Sequence, residues 1–186
     1  MSNFPSKVAI VTGAGGNLGR AVALAFAEQG ARLALVDRNP NALSATQEKL
    51  PAGSDSLTLP TDLLRPESVA DMVQRVLGRF GQIDVLANIA GGFAMGPPLH
   101  ETEDHDWDFM LDLNARTVFN CCRAVIPHML DRGDGRIVNV SARAAREGKA
   151  HMAPYCASKA AVITLTESLA AEHKHNNINV NCILPG

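Results

Sequence analysis

Along the chain, short continuous apolar runs alternate with longer stretches in which apolar residues return every three or four positions. Residues 7–12 (KVAIVT) read as a strand, since small and β-branched side chains follow one another without alternation. A glycine-rich turn follows, then a helix over 18–29 that Gly30 ends, because glycine accepts the left-handed backbone a helix C-terminus favours. Residues 32–37 (RLALVD) are a second predicted strand, 41–50 a helix, 56–60 a short third strand, and 66–80 a helix begun by Pro66. The second half repeats the rhythm with a strand at 83–88 (IDVLAN), a long helical region at 104–132, a strand at 136–141 (RIVNVS), a helix at 155–175 and a strand at 178–184 (INVNCIL). Apolar strands alternating with helices predict an α/β fold, a Rossmann-like doubly wound parallel sheet with helices on both faces. No linker, repeat or low-complexity segment interrupts the pattern, so 1–186 is read as one domain.

Composition narrows the classes. A net charge of -2 with mixed signs along the chain leaves no basic footprint for nucleic acid. The opening MSNFPSK has no basic head, long apolar region or cleavage site, and no apolar run approaches the roughly 18 residues needed to cross a membrane, which predicts a cytoplasmic protein. Cys121, Cys122, Cys156 and Cys182 form no CxxC pair and read as small apolar side chains in a reducing compartment. His173 and His175 lie two apart, so a helix turns them different ways, and no metal site is predicted.

The first turn carries candidate chemistry. Residues 12–19 read TGAGGNLG, directly after a strand and opening a helix. Glycine lets the backbone bend tightly and approach a pyrophosphate, which the free amides and the helix dipole stabilise. Asp37 ends the second predicted strand, where a carboxylate accepts the adenosine ribose hydroxyls and repels a 2′-phosphate. That favours NAD. Arg38 beside it could grip such a phosphate, so NADP stays open.

Tyr155-Cys156-Ala157-Ser158-Lys159 places a phenol and an ammonium four residues apart, on one helix face. A phenol ordinarily titrates near 10, and a neighbouring cation favours the phenolate, bringing it toward the range useful for proton transfer. With Ser141 at a strand end upstream, the run Asn88-Ile89-Ala90-Gly91, the glycine turn and Asp37, this chain resembles the short-chain dehydrogenase/reductase family from Thr12 to its last residues, Pro185 and Gly186.

The resemblance implies an NAD(P)-dependent oxidoreductase interconverting an alcohol and a ketone or aldehyde by hydride transfer. In it Tyr155 is the general acid/base, Lys159 lowers its pKa and bonds the nicotinamide ribose, Ser141 holds the substrate oxygen and Asn114 anchors a water in a proton relay. It also implies that Thr12, Gly13, Gly15, Asn17, Leu18 and Gly19 cradle the cofactor, and that Asp62 with Leu63 meets the adenine. Asn88, Ala90 and Gly91 line the crevice, and Pro185 reaches the nicotinamide side. Phe93, Met95 and Leu99 on one segment, and Arg143 to Met152 on another, are the expected substrate contacts, pointing to a hydrophobic or medium-sized carbonyl. Arg143 and Arg146 leave room for an anionic group. A 3-oxoacyl reductase fits such a chain, although Asp37 argues against the NADP those enzymes usually prefer. Homodimers or homotetramers are the implied assemblies, through the 104–132 and 155–175 helices.

The chain departs from the family pattern in several places. Asn17 stands where glycine is usual, and should alter the turn slightly, since Asn tolerates left-handed geometry. Ile89 replaces the second Asn of NNAG, with a small expected loss of strand stabilisation. Glycines 13, 16 and 19 also fit the spacing of the extended, epimerase-like branch, whereas AsnxAlaGly and the short chain favour the ordinary one. The sequence stops at Gly186, where members normally continue into a substrate loop, a helix and an edge strand, so a C-terminally truncated chain is expected. Two rivals remain at this point, a non-catalytic NAD-binding regulatory module and a sugar-nucleotide epimerase or dehydratase.

Overall fold

The structure, a computed structural model, describes residues 4–186. Strands β1 (Val8–Thr12), β2 (Arg32–Asp37), β3 (Ser56–Pro60), β4 (Val85–Asn88), β5 (Gly135–Val140) and β6 (Ile178–Ile183) form one parallel sheet in the order β3-β2-β1-β4-β5-β6. The helices are α1 (Asn17–Glu28), α2 (Pro40–Gln47), α3 (Pro66–Phe80), α4 (Asp104–Leu111), α5 (Thr117–Arg132), α6 (Ala144–Glu147) and α7 (Ala153–His173). The sheet is Rossmann-like. After β1 the chain winds outward to β2 and β3, then returns to the other side of β1 to build β4, β5 and β6. Connections leaving in opposite directions after β1 and β4 open a crevice at the C-terminal ends of those strands.

All five residues of β1 are buried, as the uninterrupted apolar run requires of a central strand covered on both sides. One core lies under α3, α5 and α7, where Val69, Val73, Val125 and Val162 meet Ile10, Leu86 and Ile137 of the sheet. The other joins Ala23 of α1 and Leu43 of α2 to Val11, Leu33 and Leu35. Cys121 and Cys122 sit in the first core, and all four cysteines are free. In β6, buried Ile178 and Val180 alternate with exposed Asn179 and Asn181, so this edge strand covers one face only. Among the described residues no helix is long and apolar enough to cross a membrane.

Two elements differ from the reading of the sequence. The region 104–132 is not one helix: α4 and α5 are separated by a π-helical turn over Asp112–Arg116, whose wider winding inserts an extra residue per turn. Periodicity misses it because apolar residues continue through it on schedule. Helix α2 begins at Pro40, behind Asn39, whose Oδ1 accepts the amides of Asn41 (3.0 Å) and Ala42 (3.3 Å) as an N-cap.

Candidate active site

Glycines at the end of β1 are set by contacts. Gly13 has φ +65°, and a Cβ there would lie 2.8 Å from the Ala90 Cα; one on Gly19 would lie 2.1 Å from the Gly13 carbonyl oxygen. Left-handed geometry therefore falls on Gly13 and not on Asn17, which is simply the first residue of α1. The N-terminus of α1 has no side-chain cap, so its first amides stay free for an anion. Thr12 Oγ1 accepts the amides of Ile89 (3.0 Å) and Ala90 (3.1 Å), binding the turn after β4 to the end of β1. Asp37 accepts the Gly15 amide at 3.1 Å and the Asn39 amide at 3.0 Å, which fixes its carboxylate beside the glycine turn.

A cavity of about 480 Å³ runs over this turn at Gly13, Asn17, Leu18 and Gly19. Asp37, Arg38, Asp62 and Leu63 lie at one end of it, and Ala90 and Gly91 at the other. A second cavity, of about 770 Å³, is lined by Ser141, Tyr155 and Lys159 together with Phe93, Arg143 and Met152, and reaches Pro185. Leu18, Ile89 and Gly91 line both, so the two adjoin. Ile89, read from the sequence only as a weakened strand position, is thus part of the shared wall. Phe109, Leu113 and Thr117 line the first cavity and were not singled out in the sequence, because their four-residue spacing reads as an ordinary core stripe. Thr12, Gly15, Asn88 and Asn114 line neither cavity and support the walls from behind. Met95 and Leu99, each 63% exposed, also lie outside both.

Tyr155 stands in the first turn of α7, with Lys159 one turn on, as the spacing predicts. Lys159 is 5% exposed and donates from Nζ to the Val140 carbonyl at 2.9 Å. Burial pulls its pKa down to about 8. Tyr155 moves the other way from the expected direction: burial, and next the neighbouring Cys156, raise its pKa above the ordinary value. In the protein alone, burial dominates both groups, raising the phenol and lowering the ammonium. The Phe93 ring meets Tyr155 edge-on, with centroids 5.0 Å apart.

The remaining two residues of the implied catalytic set, Ser141 and Asn114, make hydrogen bonds within the protein. Ser141 is 3% exposed, lines the second cavity and donates from its hydroxyl to the Lys159 carbonyl at 2.7 Å. Asn114 lies inside the π-helical turn and is fully buried. Its Oδ1 accepts the Gly92 amide (3.0 Å), while Nδ2 donates to the Gly92 carbonyl (3.1 Å) and to Ser158 Oγ (3.1 Å). Ser158 Oγ donates in turn to the Tyr155 carbonyl at 2.8 Å. Both amide protons of Asn114 are thereby used, and its side chain joins the turn after β4 to the helix of Tyr155. Asn88 Nδ2 donates to Asn139 Oδ1 at 2.8 Å, and Asn139 Nδ2 to Thr166 Oγ1 at 2.9 Å, a buried chain from β4 through β5 to α7.

Comparison with known proteins gives consistent matches over this architecture. The family model described as short chain dehydrogenase matches residues 7–186. The chain is 36% identical over 181 residues to the 2,3-dihydro-2,3-dihydroxybenzoate dehydrogenase of Bacillus subtilis (strain 168), covering 97% of this chain and 69% of that one. It is 34% identical over 183 residues to the 3-oxoacyl-acyl-carrier-protein reductase FabG of Staphylococcus epidermidis, covering 97% and 75%. The crystal structure of an NAD+-bound xylitol dehydrogenase superposes with a TM-score of 0.93 at 38% identity, covering 99% of this chain and 71% of that one.

Proposed function

The chain belongs to the short-chain dehydrogenase/reductase family of oxidoreductases, and we propose that it interconverts an alcohol and a ketone or aldehyde, using NAD in preference to NADP. The observation that carries this reading is the position of Tyr155 and Lys159 on the wall of a cavity adjoining the groove over the glycine turn. The residues present fit a dinucleotide: glycines stand where any Cβ would collide, helix amides are free at the N-terminus of α1, and a fixed carboxylate sits at the far end. The free α1 amides hold the pyrophosphate, which the glycines of the turn let approach closely, and Asp37 with Asp62 holds the adenosine end. Asp37 carries the preference for NAD, with Arg38 its competitor. Lys159 and Pro185 face the nicotinamide half, which when bound supplies or accepts the hydride.

Tyr155 gives its phenolic proton to the carbonyl oxygen during reduction and takes it back during oxidation. The raised pKa keeps the phenol protonated, the form reduction needs. Ser141 and Asn114 position rather than react: Ser141 holds α7 at Lys159, and Asn114 holds the Gly92 peptide against the same helix. The substrate is a hydrophobic, medium-sized carbonyl, received by Phe93 and Met152. The 3-oxoacyl thioesters suggested by the name of one relative fall in this class. Arg143 is paired with Glu147 at 2.5 Å, which itself also pairs with Lys149. The chain is one domain around the single sheet, and exposed Phe119 and Leu130 on α5 support a homo-oligomer, which light scattering tests. The deciding assay follows NADH oxidation with a panel of carbonyls in the wild type and in Tyr155→Phe. Turnover lost in the variant with NADH binding retained supports the reading, and equal turnover in both overturns it.

A further inference from the structure

The glycine turn is braced by side chains of α2 and α1. Helix α2 lays Ala42 and Thr46, four residues apart on one face, directly against the turn. A Cβ on Gly15 would come within 2.6 Å of the Ala42 Cβ, so the packing is close. Thr46 is fully buried. Its Oγ1 lies 2.8 Å from the Ala14 carbonyl oxygen and 3.1 Å from the Ala42 carbonyl of its own helix, the shorter contact crossing to the turn. The same Oγ1 accepts Arg20 Nε at 3.2 Å, and Arg20 Nη2 donates to the Gly15 carbonyl at 3.2 Å. Consecutive carbonyls of the turn, Ala14 and Gly15, are therefore both held by side chains of α2 and α1.

This has an electrostatic consequence. A carbonyl oxygen is the negative end of the peptide dipole, and one left facing the groove would repel a phosphate as strongly as an amide attracts it. We propose that Thr46, with Arg20 as its partner, is a positioning residue for the cofactor: it holds the Ala14 and Gly15 carbonyls away from the groove, so that the pyrophosphate meets the free amides of α1 with neither carbonyl beside it. The proposal rests on the dinucleotide reading above. Thr46 touches no phosphate itself, and acts through the peptide planes of the turn.

Because the effect is confined to the phosphates, it separates ligands that share an adenosine. Binding of NADH, ADP and adenosine is measured by calorimetric titration for the wild type, Thr46→Val, Thr46→Ser and Arg20→Lys, with melting curves alongside. Thr46→Val keeps shape and charge but loses the hydroxyl; NADH and ADP should weaken about tenfold and adenosine by less than about twofold. Thr46→Ser should restore wild-type affinity. Arg20→Lys keeps the charge yet loses the fork that spans Thr46 and Gly15, and should weaken ADP in the same direction. Equal ADP affinity in wild type and Thr46→Val overturns the proposal, as does an equal loss for adenosine, which would mark a general structural role. Should Thr46→Val fail to fold, unchanged ADP binding by Arg20→Lys overturns it instead. A wild type that binds neither NADH nor ADP defeats the dinucleotide reading itself, a separate outcome.

Discussion

The two ends of the sheet are built on opposite principles. At the N-terminal ends of the strands, charged groups are paired around one buried carboxylate. Asp84, 3% exposed, accepts the Val8 amide (2.8 Å), Gln82 Nε2 (2.6 Å), Lys7 Nζ (2.9 Å) and Arg132 Nη2 (3.2 Å). Lys7 also reaches Asp134, which pairs with Arg136. Burial pushes the Asp84 carboxyl up, but the Val8 amide, Lys7 and Gln82 together hold it below the ordinary carboxylate value. At the C-terminal ends the order is reversed: glycines stand where side chains would collide, helix amides lack caps, Lys159 is buried with its pKa pulled down, and two cavities open. One end ties β1, β4 and β5 together so that the other can hold groups in unfavourable surroundings. Stability and chemistry are thus divided along the strand direction, as expected of a doubly wound sheet whose ligands bind beyond the carboxyl ends.

Substitutions at each end should therefore separate in kind. The largest effect belongs to the open end: Tyr155→Phe should lower turnover by about 10²–10⁴-fold with little change in melting temperature, read by NADH oxidation and by calorimetry. At the closed end, Asp84→Asn leaves Lys7 and Arg132 without their shared carboxylate and should cost roughly 3 kcal/mol of stability in urea unfolding. NADH affinity of its folded fraction should be unchanged. Because the Asp84 pKa is lowered in the folded state, that stabilisation is complete above the ordinary carboxylate value and is lost as pH falls below it, so wild type and variant should converge in acid. Convergence at neutral pH instead would remove the contrast between the ends.

Lys159 gives a smaller effect with a distinctive sign. With its pKa at about 8 in the folded protein against 10.5, the unfolded chain binds more protons between these values, so stability rises with pH across that window. Relative to Lys159→Met, the wild type should gain on the order of 2 kcal/mol between pH 8 and pH 10. A flat difference would show that Lys159 is not penalised by burial. The smallest effect concerns selectivity: Asp37→Ala should narrow the ratio of NADH to NADPH affinity by about tenfold, leaving stability near that of the wild type.

Much of the open end could be read from the sequence. Gly13 and Gly19 were readable because a tight turn against another strand excludes any Cβ, and Asp37 because a strand end fixes where its side chain stands. The Tyr155–Lys159 pair was readable because a helix puts residues four apart on one face. Hydrogen-bond partners were not. Whether the Ser141 proton goes to a substrate or to the Lys159 carbonyl depends on how closely α7 lies on β5, which no local pattern encodes. The π-helical turn that buries Asn114 was hidden because the apolar spacing runs on through it. The Asp84 cluster was equally hidden, since Lys7, Asp84 and the segment from Arg132 to Asp134 are far apart in the chain and meet only through parallel strand register. Thr46 was missed for a simpler reason: a threonine in a helix carries no signal until its neighbours are known.

The central claim, that the open end of this sheet is an assembled dinucleotide site with an NAD preference set by Asp37, is tested most directly by fluorescence titration of the wild-type chain with NADH beside NADPH. Saturable binding with NADH the tighter ligand is the predicted result. A folded chain that binds neither, or that binds NADPH more tightly, would contradict it.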